Sequence, residues 1–446
     1  MSIAAKSFSL FKRDIFLFVS NLLTGIVVAR MLGPASMGIW VILCMIPSYA
    51  ETFGRMKFDI AAVYLLGKGK YQIGEVVYTI NLLAILSSLL IITLIVCKID
   101  WIYSMLFNKG GPDVKYLIYY VLPQIPLYFL YMNYSYLFIY KEDTKTYNRM
   151  VVIQSLVSSL GAIILLLVFK LGLLSVIITS ATSILISLIY GVTKFGVVKG
   201  ANILNIKLIK EMFSYVYKLY ISGIIGYLNT YVTNLIVALY LVPAKVAFFS
   251  MAQGRGQILS KIPNAINTML LPKISKMSCG EKPEELAATA FRISLLLLVF
   301  AAILAYILVK PLVLILYGRA YLPMVIPLWI ILPGLVLSAA STTLSQYFQG
   351  TGRVDIDAKI SFFPMCTQIV MAYVLIPKFG LAGASCALLT GLISDAILRI
   401  FFFLRISGLT FKKHMFIGIS DIKIVSVFLK SIINKTLTKK SERKSS

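Results

Sequence analysis

Apolar stretches near twenty residues long, separated by short polar or Gly/Pro-bearing breaks, recur from the start of the chain to about residue 404. That length crosses a hydrocarbon layer of roughly 30 Å at about 1.5 Å per residue. Lipid offers the backbone no hydrogen-bond partners, so runs this apolar must close their bonds internally as helices. Twelve spans are expected, at 9–31, 38–56, 76–97, 116–140, 149–169, 173–195, 215–241, 246–271, 287–309, 324–349, 360–377 and 380–404. The pattern predicts an all-α, polytopic membrane protein.

Composition supports this. Hydrophobic residues make up 59% of the 446 and charged residues only 13%, whereas a soluble domain is roughly 45–50% apolar. The net charge is nevertheless +26, from 43 Lys and Arg against 17 Asp and Glu. Counted loop by loop, 31 basic residues fall on the side of the N-terminus and 9 on the other. Basic residues concentrate on the cytoplasmic side of membrane proteins, which puts both termini in the cytoplasm. No nucleic-acid reader motif accompanies the charge.

The five cysteines (Cys44, Cys97, Cys279, Cys366 and Cys386) have no metal-ligand spacing. The basic, apolar N-terminus resembles a signal peptide, but no soluble domain follows it, so it is read as an uncleaved first helix. After Leu404 the tail is too charged to span, with Asp421, Lys423 and Lys430 interrupting it. Two readings are open there: an interfacial amphipathic helix on anionic lipid with a basic end, or a solvated tail.

One break returns halfway along. In "VARMLGPASMGIW" (28–40), Val28, Ala29, Leu32, Pro34 and Ala35 match Val237, Ala238, Leu241, Pro243 and Ala244 of "VALYLVPAKVAFF" (237–249) without gaps, at an offset of 209. "FKLGL" (169–173) and "PKFGL" (377–381) repeat at 208, as do Lys145 and Arg353. The chain is therefore read as two six-helix lobes of the same topology, 1–195 and 215–404, with a cytoplasmic linker at 196–214 and a basic tail at 405–446. Such repeats bind substrate between the halves in secondary transporters.

Polar residues gather on particular faces. In span eight Gln253, Gln257, Ser260, Lys261, Asn264, Asn267 and Thr268 share one face at helical periodicity. Span seven adds Ser222, Asn229, Thr230 and Thr233, and span ten Ser338, Ser341, Thr342, Ser345, Gln346 and Gln349. These faces either line a cavity or hydrogen-bond between packed helices.

An ionisable residue within a span costs about 2.5–3.5 kcal/mol on insertion scales, so each needs a use. Arg255 lies near the midplane but points away from the stripe. Glu51 with Arg55, and Asp395 with Arg399, are spaced as intrahelical ion pairs; each is either a structural pair or a proton- or cation-sensitive switch. The cavity candidates are thus Arg30, Arg55, Asn229, Thr233, Gln253, Arg255, Gln257, Lys261, Asn264, Ser338 and Ser345. The candidate coupling pairs are Glu51–Arg55 and Asp395–Arg399.

Missing chemistry narrows the class. The largest outer loop, "KIDWIYSMLFNKGGPDVKY", is too small for a catalytic domain, the sole histidine is His414 in the tail, and there is no nucleotide-binding GxxxxGK[ST] loop. Neither an enzyme nor an ATP-driven pump is expected, no metal or cofactor is implied, and a secondary carrier remains.

Several stretches carry a family resemblance: "ARMLGPASMGIW", "YVTNLIVALYLVPAKVAFFSMA", "LPKISKM", "YGRAYLPMVIPLWIILPGLVLSAASTTLSQYFQGTGR" and "KFGLAGASCALLTG". In order and spacing they resemble the Wzx-type polysaccharide and O-antigen flippases of the multidrug/oligosaccharidyl-lipid/polysaccharide exporter superfamily. The resemblance implies alternating access of two six-helix lobes and a cationic cavity. It further implies transfer of an undecaprenyl-diphosphate-linked oligosaccharide across the bacterial cytoplasmic (inner) membrane for lipopolysaccharide, capsule or exopolysaccharide synthesis, with membrane lipids, a polysaccharide polymerase and a chain-length regulator as partners. Relatives often carry an acidic–basic pair in helix seven, where this chain has Thr233 and Asn234. A cation-coupled drug exporter of the same superfamily and a membrane glycosyltransferase or polymerase are the alternatives.

Overall fold

The computed structural model describes residues 3–107, 114–196, 205–277, 281–415, 418 and 421, without the side chains of residues 3–12, 354, 355, 358, 412 and 413. Residues 197–204 of the expected linker, Cys279, and the tail from 422 to 446 with its interfacial-helix reading lie outside the described residues. The described regular elements are helices: α1 (Ile3–Gly54), α2 (Phe58–Gly67), α3 (Ile73–Cys97), α4 (Ile99–Phe107), α5 (Lys115–Val121), α6 (Gln124–Tyr140), α7 (Thr144–Leu167), α8 (Leu173–Phe195), α9 (Ile206–Tyr240), α10 (Pro243–Gly256), α11 (Lys261–Ser275), α12 (Pro283–Leu316), α13 (Val325–Gly350), α14 (Val354–Ser407) and α15 (Phe411–His414). Short 3-10 turns at Gln257–Ser260 and Arg319–Met324 join the neighbours on either side.

Among the described residues eight helical stretches are long and apolar enough to cross a membrane. Two of them are too long to cross once: 52 residues in α1 and 54 in α14 would each run about 80 Å. Both break at a glycine whose backbone is non-helical, Gly33 (φ 73°) and Gly380 (φ 56°). Positive φ is easy only for a residue without Cβ. At the second break the chain folds tightly back, because a Cβ on Gly383 would stand 2.1 Å from the Leu375 carbonyl oxygen. The remaining crossings come from α5 with α6 and from α10 with α11, which gives the twelve-helix pattern expected from the sequence.

These composite spans depart from single uninterrupted helices for local reasons. Expected span four divides at Leu122–Pro123, where proline supplies no backbone N–H. Expected span eight tightens into the 3-10 turn at Gln257–Ser260. There Gly254 and Gly256 weaken the helix, and Pro263 withholds the bond that Leu259 would accept. Conversely, α9 starts before the apolar run, since Asn205 caps it by accepting from the Leu208 N–H at 3.1 Å.

By packing the chain forms two units, residues 1–250 with 313–323, and residues 251–312 with 324–446. In the first, Ala61, Leu65, Ile80, Phe138, Met150 and Met212 form a core joining α2, α3, α6, α7 and α9. In the second, Leu270, Ile274, Phe291, Phe348 and Phe403 join α11 to α14. Small residues allow the close approaches: a Cβ on Gly161 would meet Thr179 at 2.8 Å, and one on Gly350 would meet Ile274 at 2.6 Å.

Candidate functional site

Each unit holds a half-buried arginine between two carboxylates. In the first unit α1 ends at Gly54, and Met56 and Lys57 then take left-handed backbone angles (φ 52° and 57°). This turn brings Asp59, in the first turn of α2, back onto Arg55. Arg55 donates to Asp59 Oδ2 and lies 3.3 Å from Glu51 Oε1. Asp59 is only 1% exposed, and its Oδ1 meets no hydrogen-bond partner among the described residues. Burial pushes its carboxyl above the usual range although the Arg55 guanidinium pulls the other way. Lys57 leans away onto α9, its Nζ 3.4 Å from the Leu219 carbonyl and occupying the space left by Gly223.

In the second unit Arg399 bridges the two halves of α14. Its Nε donates to Asp395 Oδ2 at 3.0 Å and its Nη1 to Asp357 Oδ1 at 2.8 Å. α13 completes the cluster: Ser345 donates to Asp357 Oδ1 at 2.8 Å, and Ser338 to Asp395 Oδ2 at 3.3 Å. Asp395 is 6% exposed, and its Oδ1 has no hydrogen-bond partner among the described residues. Two carboxylates, one of them buried, thus share one guanidinium.

Sequence spacing identified Glu51–Arg55 and Asp395–Arg399 but missed Asp357 as the third member of the second cluster. Asp357 is 42 positions from Arg399, and no helical periodicity links them. Asp59 had a detectable signal, being four residues from Arg55, yet the turn that closes on it is tertiary.

The polar stripes are less uniform. Asn229 is half-buried and Thr233 fully buried in the first unit. In the second, Gln253 is buried, Arg255 and Gln257 are half-buried, and Lys261, Asn264 and Thr268 are exposed. Asn267, on the same expected face, packs inward and donates to Thr342 Oγ1 at 3.1 Å. Arg30 is exposed and donates to the carbonyls of Ile315 and of Leu316, the latter at 2.7 Å, at the C-terminus of α12. Beside it Tyr321 donates to the Ala29 carbonyl at 2.7 Å.

The first unit also contains an apolar cavity of about 350 Å³ lined by residues that include Met45, Phe53, Ile91, Trp101, Met105 and Leu235. Among the described residues no three His, Cys, Asp or Glu side chains gather to hold a metal ion.

The family model described as "Polysaccharide biosynthesis protein" matches residues 27–326. The chain belongs to this family. A curated relative, the capsular polysaccharide biosynthesis protein CapF of Staphylococcus aureus, is 26% identical over 205 residues, 45% of this chain and 52% of that one. The match thus spans about half the length of the relative.

Solved structures share the fold of this family member. The lipid II flippase MurJ in an inward closed conformation superposes with a TM-score of 0.73 at 16% identity, covering 96% of this chain and all of the other (100%). An inward-facing multidrug resistance MATE family transporter of the MOP superfamily gives 0.70 at 14% identity, covering 88% and 94%. The chain is a polytopic helical membrane protein with the fold of these structures, as the apolar spans and the resemblance led one to expect.

Proposed function

We propose that the chain is a flippase that moves an undecaprenyl-diphosphate-linked oligosaccharide repeat unit across the bacterial cytoplasmic membrane, by alternating access of lobes 1–195 and 215–404. The observation that carries this reading is membership of a polysaccharide biosynthesis family on a fold shared with a lipid II flippase. Three features support it. The excess of basic residues suits a diphosphate, which needs compensating positive charge to cross an apolar layer. The apolar cavity in the first unit suits a hydrocarbon chain. The two carboxylates that share Arg399 suit a proton or cation that drives the cycle. Both termini then face the cytoplasm, the polymerase and chain-length regulator work downstream, and the chain itself performs no covalent chemistry.

Of the cavity candidates, Lys261 and Asn264 are exposed on α11 and suit contact with the diphosphate and sugar; Arg255, Gln257 and Ser338 in the second unit and Asn229 in the first are half-buried. Deleting the gene should remove the surface polysaccharide and leave the lipid-linked repeat unit on the inner leaflet. A normal surface with no such accumulation would sink the proposal.

The second reading, a cation-coupled exporter of organic cations, is favoured by buried Asp395, which shares Arg399 with Asp357. It requires ion-driven efflux that Asp395→Asn abolishes.

A further inference from the structure

On the first unit, at the end where α2 runs into its loop and α9 begins, a second cavity of about 390 Å³ opens to the outside, lined by Tyr64, Leu65, Lys68, Lys70, Glu211, Ser214 and Tyr215. Its construction differs from that of a merely solvated lysine patch. Tyr64 and Tyr215 stack with their ring centroids 3.9 Å apart and planes within 10°, forming one wall. Lys68 holds its ammonium 4.5 Å from the Tyr64 ring centre and has no carboxylate partner among the described residues. Lys70 is tethered by both Glu211 oxygens at 2.7 Å, so the one acid lining the pocket among the described residues is already engaged.

The first turns of α9 extend the positive field. Lys207, Glu211, Ser214, Tyr215 and Lys218 fall at helical spacing along one face, and Lys207 and Lys218 are exposed. The groups left for a ligand are thus an ammonium, the Ser214 hydroxyl and two tyrosine hydroxyls. All are donors arranged beside an aromatic wall of the kind that anchors proteins at the lipid headgroup level. That set matches an anionic oxygen cluster standing in the membrane interface.

We propose that this cavity is a binding site for a lipid phosphate, with Lys68 as the charged ligand, Ser214 and the tyrosine hydroxyls as hydrogen-bond donors, and Glu211 as the residue that positions Lys70. The phosphate belongs either to an anionic phospholipid of the surrounding leaflet or to a polyprenyl phosphate carrier. The site does not depend on the flippase reading, since phospholipid binding requires no export.

The test uses the full chain, purified in a neutral detergent, with thermal unfolding followed during titration with phosphatidylglycerol, phosphatidylcholine and undecaprenyl phosphate in turn. Lys68→Gln should weaken stabilisation by at least one of the two anionic lipids about fivefold, the effect expected of one lysine beside an anionic lipid surface. It should leave phosphatidylcholine unchanged. Lys145→Gln, an exposed lysine outside the cavity, should have no effect. Selective loss with phosphatidylglycerol assigns the site to leaflet lipid, and selective loss with undecaprenyl phosphate assigns it to the carrier. Equal titrations for wild type and Lys68→Gln, or an equal loss in Lys145→Gln, would overturn the proposal. The unfolding temperature without lipid separates a folding defect from a binding defect, and Tyr64→Phe, which keeps the wall and removes one donor, gives a second reading.

Discussion

Gly38 packs against Pro243 so closely that a Cβ on the glycine would stand 1.7 Å from the proline carbonyl oxygen. These residues belong to the two matched stretches, "VARMLGPASMGIW" and "VALYLVPAKVAFF", so the repeat is also a contact. The obstacle is backbone and cannot rotate aside. Gly38→Ala should therefore destabilise the purified protein by about 1–3 kcal/mol, the usual cost of overpacking. Thermal unfolding in detergent reads this; an unchanged midpoint would mean the two stretches are not held together.

Arg30 donates to carbonyls that end α12, where the helix dipole and unsatisfied C=O groups favour a cation. Arg30→Ala should lower stability by about 1–2 kcal/mol, with Arg30→Lys retaining part of it. Export that falls in proportion to protein level marks a folding role. Lost export at normal level and normal unfolding temperature would instead return Arg30 to the substrate path.

Removing Arg399 leaves buried Asp395 and half-buried Asp357 without their shared cation. Arg399→Leu should cost about 3–5 kcal/mol, because breaking a buried pair costs more than replacing it whole. Adding Asp395→Leu should recover part of that loss. A double variant as unstable as the two single losses summed would show that the pair does not interact.

Arg292 on α12 donates to both oxygens of Asp421, at 2.8 and 3.2 Å, and to the His414 carbonyl at 2.7 Å. Burial pushes the Asp421 carboxyl up, but the Arg292 hydrogen bond and the Gly418 N–H outweigh it, and the net direction is down. A group lowered in the folded state contributes stability that is full above its unfolded value, about 3.9, and is lost as pH falls through the folded value. Protection of the amide groups of Phe411–His414 against hydrogen exchange, taken relative to their intrinsic rates, should hold from pH 7 to about 4 and fall below that. Asp421→Asn should show fast exchange throughout the range; slow exchange in that variant would remove the carboxylate from the explanation.

Much of this was legible in the chain itself. Run length and the absence of backbone partners in lipid dictate helices, and Gly33 and Gly380 mark reversals because positive φ suits a residue without Cβ. The four-residue spacing of Glu51 and Arg55, and of Asp395 and Arg399, follows from helical geometry alone. Tertiary structure decided what sequence spacing cannot encode. Asp357 reaches Arg399 only because the two halves of α14 fold against each other, and Asp421 reaches Arg292 across 129 positions. Tyr64 stacks on Tyr215 because α2 packs on α9. The stripe on span eight divides into buried Asn267 and exposed Lys261 and Asn264, since periodicity fixes a face but only the neighbouring helices settle which part of it they cover. Local rules act over a few residues; the charge clusters, cavities and exposed faces depend on contacts between distant ones.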